Sequence, residues 1–183
     1  MAEHLIALVC THDIPSPALS SILAAGYRKA QGLSSPESLV ILSESSKASL
    51  HALRDESVTR PPVELSAQSP FLGWSIDAVA DFLLENAKGS CIDQLVFLIA
   101  DEKTAEDGST LLMVQNTLHE KGPVPHSVRI SADAANTAPV AVSVGSMSVM
   151  ELASLVEEDG VYRGGRGPPP KKGGPAPRKA LGS

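Results

Sequence analysis

The sequence predicts a mixed α/β domain with a partly parallel sheet, followed by a disordered C-terminal tail. Near the N-terminus, short apolar runs alternate with amphipathic helical stretches, an order typical of parallel β-α-β units. Further along, several apolar runs follow one another closely, which is typical of antiparallel strands. We therefore expect a mixed sheet with packed helices, of the α/β or α+β class.

The first two predicted strands are continuous apolar runs with a helix between them. Leu5–Val9 and Leu39–Leu42 lack polar alternation, which is typical of strands buried on both faces. Ser16 before Pro17 indicates a helix start, and apolar residues at helical spacing extend this helix over 17–30. Together these elements predict one parallel β-α-β unit.

The middle of the chain contains two helices, a long loop and the most apolar strand. Periodicity predicts a short helix at 46–55 and a longer one at 75–87, which Gly89 ends. The stretch 57–70 contains three prolines and has no clear period, so we expect a surface loop there. Leu95–Ala100 is the strongest strand pattern in the sequence.

The last third of the body is predicted to add strands and a capped helix. Three apolar runs predict strands at Leu111–Val114, Ser127–Ile130 and Val140–Val144. A polar turn at Asp107-Gly108 precedes the first of them, and a turn at Gly122–Pro125 precedes the second. Ser148 and Glu151 have capping-box spacing and predict the start of a helix that Gly160 ends.

Charge divides the chain into two parts. Residues 1–162 hold all 21 acidic side chains and 9 basic ones, so their formal charge is −12. Residues 163–183 hold 6 basic side chains and no acidic one, together with six glycines and five prolines. Such a segment buries too little apolar surface to offset the entropy of ordering it. We expect a single α/β domain over 1–162 and a disordered basic tail over 163–183.

Composition excludes several classes of protein. The chain has 183 residues, 43% of them hydrophobic, which is enough for a sizeable core. Two cysteines exclude a disulfide-rich secreted scaffold, and a net charge of −6 excludes a nucleic-acid binder that is basic throughout. The N-terminus lacks a signal-peptide pattern, and no apolar run approaches the roughly 18 residues that span a bilayer. We expect a cytoplasmic protein without a membrane partner.

Three stretches of the second half resemble an uncharacterised domain-of-unknown-function family, found mainly in actinobacteria and also in fungi. The stretches are Leu95–Asp101 with Thr104, Leu111–Val114, and Ser143–Met147 continuing to Glu158–Gly164. Family members carry an apolar strand that ends in Ala-Asp, a second apolar strand, and a closing Asp-Gly-Val-Phe-Arg-Gly. Ser146 and Ser148 depart from this pattern, since the family has Asn and Asp there. The resemblance covers about 95–164 and implies an α/β or α+β domain that ends near Gly164.

Cys10, His12 and Asp13 follow the first predicted strand, where ligands gather in open α/β sheets. Cys10 and His12 could act as nucleophile and base, with Asp13 orienting the imidazole. The alternative is a buried cysteine at a strand end, beside a polar loop that leads to Ser16. No activated-thiol motif surrounds Cys10, which favours this structural alternative.

Asp101 and Glu102 end another predicted strand, on the same edge as His12 if the strands are parallel. Two carboxylates and an imidazole could bind a divalent metal or share acid and base roles. Adjacent residues of an extended chain point in different directions, however. This geometry favours the alternative of a solvated carboxylate pair at a turn.

No further motif predicts a metal or a cofactor. His119 and His126 are seven residues apart, which matches neither a helical zinc pair nor a zinc finger, so we expect both in surface loops. No glycine-rich nucleotide-binding motif follows a strand. We therefore expect no cofactor and no metal site.

The tail contains the clearest candidate binding residues. Its cations are Arg163, Arg166, Lys171, Lys172, Arg178 and Lys179. They could contact phosphates in a salt-dependent manner, although the tail has no aromatic residue to stack on bases. Pro168–Pro170 could fit a polyproline-binding groove. The alternative is a solubilising tail that folds back loosely on the acidic body.

Two functional hypotheses remain. The first is a non-enzymatic domain that binds a protein partner through its body, with the basic tail adding electrostatic contacts; nucleic acid would bind through the tail only. The second is a small enzyme with a strand-end pocket around His12 and Asp101. The first is favoured, because no nucleophile–base–orienter set stands out in the sequence.

Overall fold

The computed structural model describes residues 4–65, 67–119 and 122–165. Its strands are β1 (Leu5–Cys10), β2 (Leu39–Ile41), β3 (Ile92–Ala100), β4 (Thr110–His119), β5 (Gly122–Ser131) and β6 (Val161–Tyr162). They form one sheet in the order β2-β1-β3-β4-β5-β6. β1 is parallel to β2 and β3, β4 is antiparallel to β3 and β5, and β6 is parallel to β5. The predicted class, a mixed and partly parallel α/β fold, is confirmed.

Helices cover both faces of the sheet. They are α1 (Ser16–Gly32), α2 (Lys47–Ala52), α3 (Ile76–Asn86), α4 (Glu102–Asp107), α5 (Thr137–Ser143) and α6 (Val149–Ala153), with short 3-10 turns at Asp55–Ser57 and Ala132–Ala134. Apolar residues of α1, α5 and α6 pack on one face, and those of α2 and α3 pack on the other. Within the described residues, no helix is long and apolar enough to cross a bilayer.

The continuous apolar pattern of β1 follows from this double covering. Ile6 and Leu8 belong to the core beneath α1, while Leu5, Ala7 and Val9 belong to the core beneath α3. Successive side chains of a strand point to opposite faces, so both sets are buried. This confirms the prediction that the first strand is buried on both sides.

Helix α1 begins at Ser16, with Pro15 as the N-cap residue and no side-chain cap. The predicted cap at Ser16 is therefore wrong by one residue, although Pro17 lies in the first turn as expected. Gly26 faces the segment 132–136, where an added Cβ would be 3.2 Å from the Ala132 carbonyl oxygen. The missing side chain lets α1 approach this segment closely.

The strand predicted at Val140–Val144 is wrong, because these residues lie in and just after helix α5. Asn136 fixes the start of this region: its side chain accepts a hydrogen bond from the Ser38 amide and donates one to the Pro36 carbonyl. The helix then buries Val142 and leaves Val144 69% exposed. Tertiary packing therefore overrides the β-branched pattern.

The turn predicted at Gly122–Pro125 is also wrong, because β5 begins at Gly122 and pairs with β4 along its whole length. The Ala132 amide donates a hydrogen bond to the Ser109 carbonyl. From this pair onward, hydrogen-bonded and non-hydrogen-bonded residue pairs alternate along the antiparallel strands β4 and β5. In that alternation Pro123 and Pro125 point their nitrogens away from β4. Proline is tolerated there because β6 pairs only with the far end of β5.

Two short elements were missed. Helix α4 follows the predicted strand end, with Asp101 as its N-cap and Gly108, at a φ of 61°, as its C-cap. Strand β6 has two residues and ends just before Arg163. The tail residues 166–183 lie outside the described residues.

Candidate functional site

The parallel strands β1 and β3 end side by side at the carboxyl edge of the sheet. The Thr11 amide donates to the Ala100 carbonyl at 3.0 Å, just beyond the last residues of both strands. β2 lies on one side of β1 and β3 on the other, so the topology switches at β1. Ligands of open α/β sheets bind at such a switch point.

Cys10 lies at this edge but is only 3% exposed. Burial raises the pKa of its thiol to about 12, so the sulfur is protonated at neutral pH. A protonated, buried thiol is a poor nucleophile. This environment is that of a core cysteine.

His12 and Asp13 are exposed and lie beside Cys10 along a cleft of about 280 Å³. Leu65 and Gln68 of the following loop form the opposite side of this cleft. Within the described residues, no hydrogen bond joins the His12 ring to Asp13 or Cys10. The structure thus brings the three predicted residues to one cleft without linking them as nucleophile, base and orienter.

Asp101 lies on the same edge but is already bound within the fold. Its carboxylate accepts hydrogen bonds from both terminal guanidinium nitrogens of Arg129, at 2.9 and 2.5 Å, and from the Thr104 amide at 3.1 Å. Burial alone would raise the pKa of Asp101, but the bonds from Arg129 and Thr104 outweigh it and lower the pKa. Asp101 therefore caps α4 and ties it to β5.

Neither Asp101 nor Glu102 is among the described residues that line the His12 cleft. Glu102 is exposed, in the first turn of α4. Arg129 was not among the residues singled out from the sequence, although it interrupts the apolar run Val128–Ile130. Because neighbouring residues of a strand point to opposite faces of the sheet, Arg129 had to face away from Val128 and Ile130. The described residues contain no group of three or more His, Cys, Asp or Glu side chains placed to hold a metal ion.

The loop predicted over 57–70 forms a wall at this edge, a role that its prolines alone did not reveal. The Tyr27 hydroxyl lies 2.7 Å from the Thr59 carbonyl oxygen, and the Val63 amide donates to the Ser20 hydroxyl at 2.8 Å. Further along, the Ser69 hydroxyl donates to the Cys10 carbonyl at 2.6 Å. The loop is therefore attached at both of its ends and in its middle.

Three depressions border the segment 58–69, two of them against α1 and one beside the end of β2, and together we call them the α1 groove. The first, of about 870 Å³, is lined by Tyr27, residues 34–37 and Arg60. The second adjoins it along α1 and is lined by Ala24 and Pro61–Glu64. The third, of about 580 Å³, lies on the β2 side of the segment, reaches Glu44 and Cys10, and shares lining residues with the His12 cleft.

The α1 groove carries an excess of negative charge. Its acidic side chains are Glu37, Glu44, Asp55 and Glu64, and its cations are Arg28 and Arg60. Arg60 is already paired with Glu37, at 2.7 Å. Among the ion pairs of the described residues, none involves Glu44 or Glu64, so these carboxylates are available to a cationic ligand.

Of the predicted tail, the structure describes only residues 163–165. Arg163 donates to the carboxylates of Glu157 and Asp159, at 2.7 and 2.5 Å. Arg163 is thus paired with the body. The remaining predicted contact residues, Arg166, Lys171, Lys172, Arg178 and Lys179, lie outside the described residues.

A family model described as "Domain of unknown function (DUF6924)" matches residues 43–165. The chain belongs to the DUF6924 family. The expected membership of an uncharacterised family is thereby confirmed, over a longer span than the resemblance at 95–164. The DUF6924 match includes the loop wall of the α1 groove and Asp101, whereas α1 and the Cys10–Asp13 segment precede it. No curated protein and no solved structure matches the chain.

Proposed function

We propose that this DUF6924 protein is a non-enzymatic interaction domain that binds an extended segment of a protein partner in the α1 groove. The groove itself supports this proposal most strongly: its depressions follow one another along the segment 58–69, and this wall is attached to the body at several points. An extended peptide fits such a shape, because it can contact successive parts of the groove along its length.

The charge of the groove supports a basic segment as its ligand. Glu44 and Glu64 are both exposed and carry no ion pair within the described structure, so a Lys or Arg side chain could pair with either. Exposed charges contribute more to orientation and association rate than to affinity. Apolar contact with Leu65, Pro61 and Pro62 would supply the remainder.

The contacts of the candidate catalytic residues weigh against the enzyme alternative. The Cys10 thiol is buried, and Asp101 is engaged by Arg129 and Thr104. His12 keeps an exposed imidazole, but Asp101 does not line its cleft, and within the described residues no hydrogen bond joins the His12 ring to Asp13. The tail then has an auxiliary role in this proposal, adding electrostatic contacts to an acidic surface of the partner.

The test compares two charge-reversed variants of the full chain. One carries Glu44→Lys and Glu64→Lys in the groove, and the control carries Asp81→Lys and Glu85→Lys on the exposed surface of α3, on the opposite face of the sheet. A partner captured by the wild-type chain is purified, and its dissociation constant is measured for each variant. We expect about a tenfold loss of affinity, about 1.4 kcal/mol, for the groove variant and little change for the control.

Equal affinities of the groove and control variants would overturn the proposal. A further variant, with the five cations of 166–183 changed to Gln, tests the tail separately. We expect it to bind the partner with a weaker dependence on salt than the wild-type chain, because fewer charge contacts form.

A further inference from the structure

We infer that the chain's own tail, residues 166–183, occupies the α1 groove when no partner is bound. The inference rests on the proposed function, because it assigns the same groove a ligand within the molecule. The partner's segment and the tail would then compete for one site. Three independent features of the molecule point to the tail as the occupant.

The first feature is charge complementarity. The tail beyond Gly165 has five cations and no acidic residue. The groove has four carboxylates and two arginines, and one of those arginines is paired with Glu37. A cationic segment tethered beside this groove is attracted to it more strongly than to the cationic parts of the surface.

The second feature is the place where the described chain ends. Gly164 lies against the turn 132–134, since a Cβ there would be 3.9 Å from the Ala134 Cβ. Two residues further on, the Asn136 side chain donates to the Pro36 carbonyl at 2.8 Å, and Pro36 lines the groove. The tail therefore leaves the body within a few residues' length of one end of the groove.

The third feature is length and composition. Eighteen residues span at most about 60 Å when extended, which is far more than this short approach requires. Five of the eighteen are prolines, at 168–170, 175 and 177, and proline lowers the entropy lost when a segment binds in an extended conformation. Ala24, Pro36 and Pro61 provide apolar surface on which such prolines can pack.

Paramagnetic broadening in the full chain tests this inference. A nitroxide is attached at Ala176→Cys in a Cys91→Ser background, where the remaining Cys10 is buried. We expect broadening of the amide signals of Arg28, Glu37 and Arg60, unchanged on dilution because the contact is intramolecular. It should fall several-fold when the five tail cations are changed to Gln, or in about 1 M salt, where the Debye length is about 3 Å.

Matched variants locate the contact. Glu44→Gln with Glu64→Gln should reduce the broadening, whereas Asp81→Asn with Glu85→Gln, an equal change of charge on α3, should leave it unchanged. Broadening that is the same in the wild-type chain and in the groove and tail charge variants would overturn the inference. Broadening that is spread evenly over the body would also overturn it. If the tail inference fails but the groove variant still loses affinity for the partner, the proposed function stands alone. If the groove variant binds the partner as tightly as the control does, the proposed function fails, whatever the result for the tail.

Discussion

Two asparagines in the core differ in their hydrogen bonds. Asn136 bonds to Ser38 and Pro36, whereas both amide atoms of Asn116 are buried without a partner in the described structure. An unsatisfied buried amide costs about 1–3 kcal/mol. A pair of otherwise similar residues thus offers a controlled comparison.

We predict that Asn116→Leu raises the free energy of unfolding by about 1–2 kcal/mol, since it removes the unpaired amide. Asn136→Leu should lower it by about 2–3 kcal/mol, because the Ser38 amide loses its acceptor. Urea denaturation of both variants measures the difference. If Asn116→Leu lowers the free energy of unfolding as much as Asn136→Leu does, the Asn116 amide forms hydrogen bonds in the folded protein, contrary to this prediction.

Asp101 links stability to pH. Its pKa in the folded protein lies below the ordinary value, so its contribution is complete at neutral pH and is lost as pH falls through the lowered pKa. We predict that Asp101→Asn lowers the free energy of unfolding by about 2 kcal/mol at pH 7. The difference from the wild-type chain should shrink as the pH falls through the lowered pKa of Asp101. A difference that stays constant with pH would show that the Arg129 pair contributes nothing.

Cys10 provides a chemical test of the enzyme alternative. At pH 8 we expect iodoacetamide to modify Cys91, which is partly exposed, well before Cys10, whose thiol is buried and has a pKa near 12. The Cys91→Ser variant should therefore remain almost unlabelled until it is unfolded. Rapid labelling of Cys10 in that folded variant, followed by mass spectrometry, would support a role for Cys10 as a nucleophile.

At the scale of elements, the approach of α1 to the segment 132–136 is the most specific contact. We predict that Gly26→Ala lowers the free energy of unfolding by about 1 kcal/mol, because its Cβ meets backbone atoms at 3.2 and 3.3 Å and this strain exceeds the gain in helix propensity. Gly32→Ala, in the same helix with no atom within 4 Å, is the control and should be neutral or stabilising. Thermal unfolding separates them; equal effects would contradict the close contact.

Elements that depend on neighbouring residues were predicted more accurately than elements that depend on contacts distant in the sequence. The strand Leu5–Val9 and the cap at Ser148–Glu151 depend on neighbouring residues, and both were identified. Val140–Val144 was misassigned, because anchoring by Asn136 to residues about a hundred positions earlier determines its helix. Such contacts leave no periodic signal in the sequence.

The candidate site was predicted only in part. Parallel strands placed Cys10, His12 and Asp101 at one edge, as apolar runs and chain order implied. The orientation of the Asp101 carboxylate depends on Arg129, which lies 28 residues later on another strand. The α1 groove was missed because an aperiodic loop of 57–70 says nothing about which helix it packs beside.

At the scale of the whole molecule, charge and topology combine. The 132–136 segment brings the end of the described chain close to Pro36, while Glu37, Glu44, Asp55 and Glu64 give the adjoining groove its acidic side chains. A net charge of −6 for the chain therefore conceals an acidic body and a basic tail. We propose that the tail occupies the groove of the body until a segment of a partner displaces it.

Hydrogen exchange of the full chain, with and without its purified partner, tests the groove as the binding site most directly. We expect slower exchange on binding in the segment 58–69 and in the α1 residues 24–31, with no change in α3. Protection confined to α3 or to the β4–β5 hairpin, with unchanged exchange in 58–69, would contradict it.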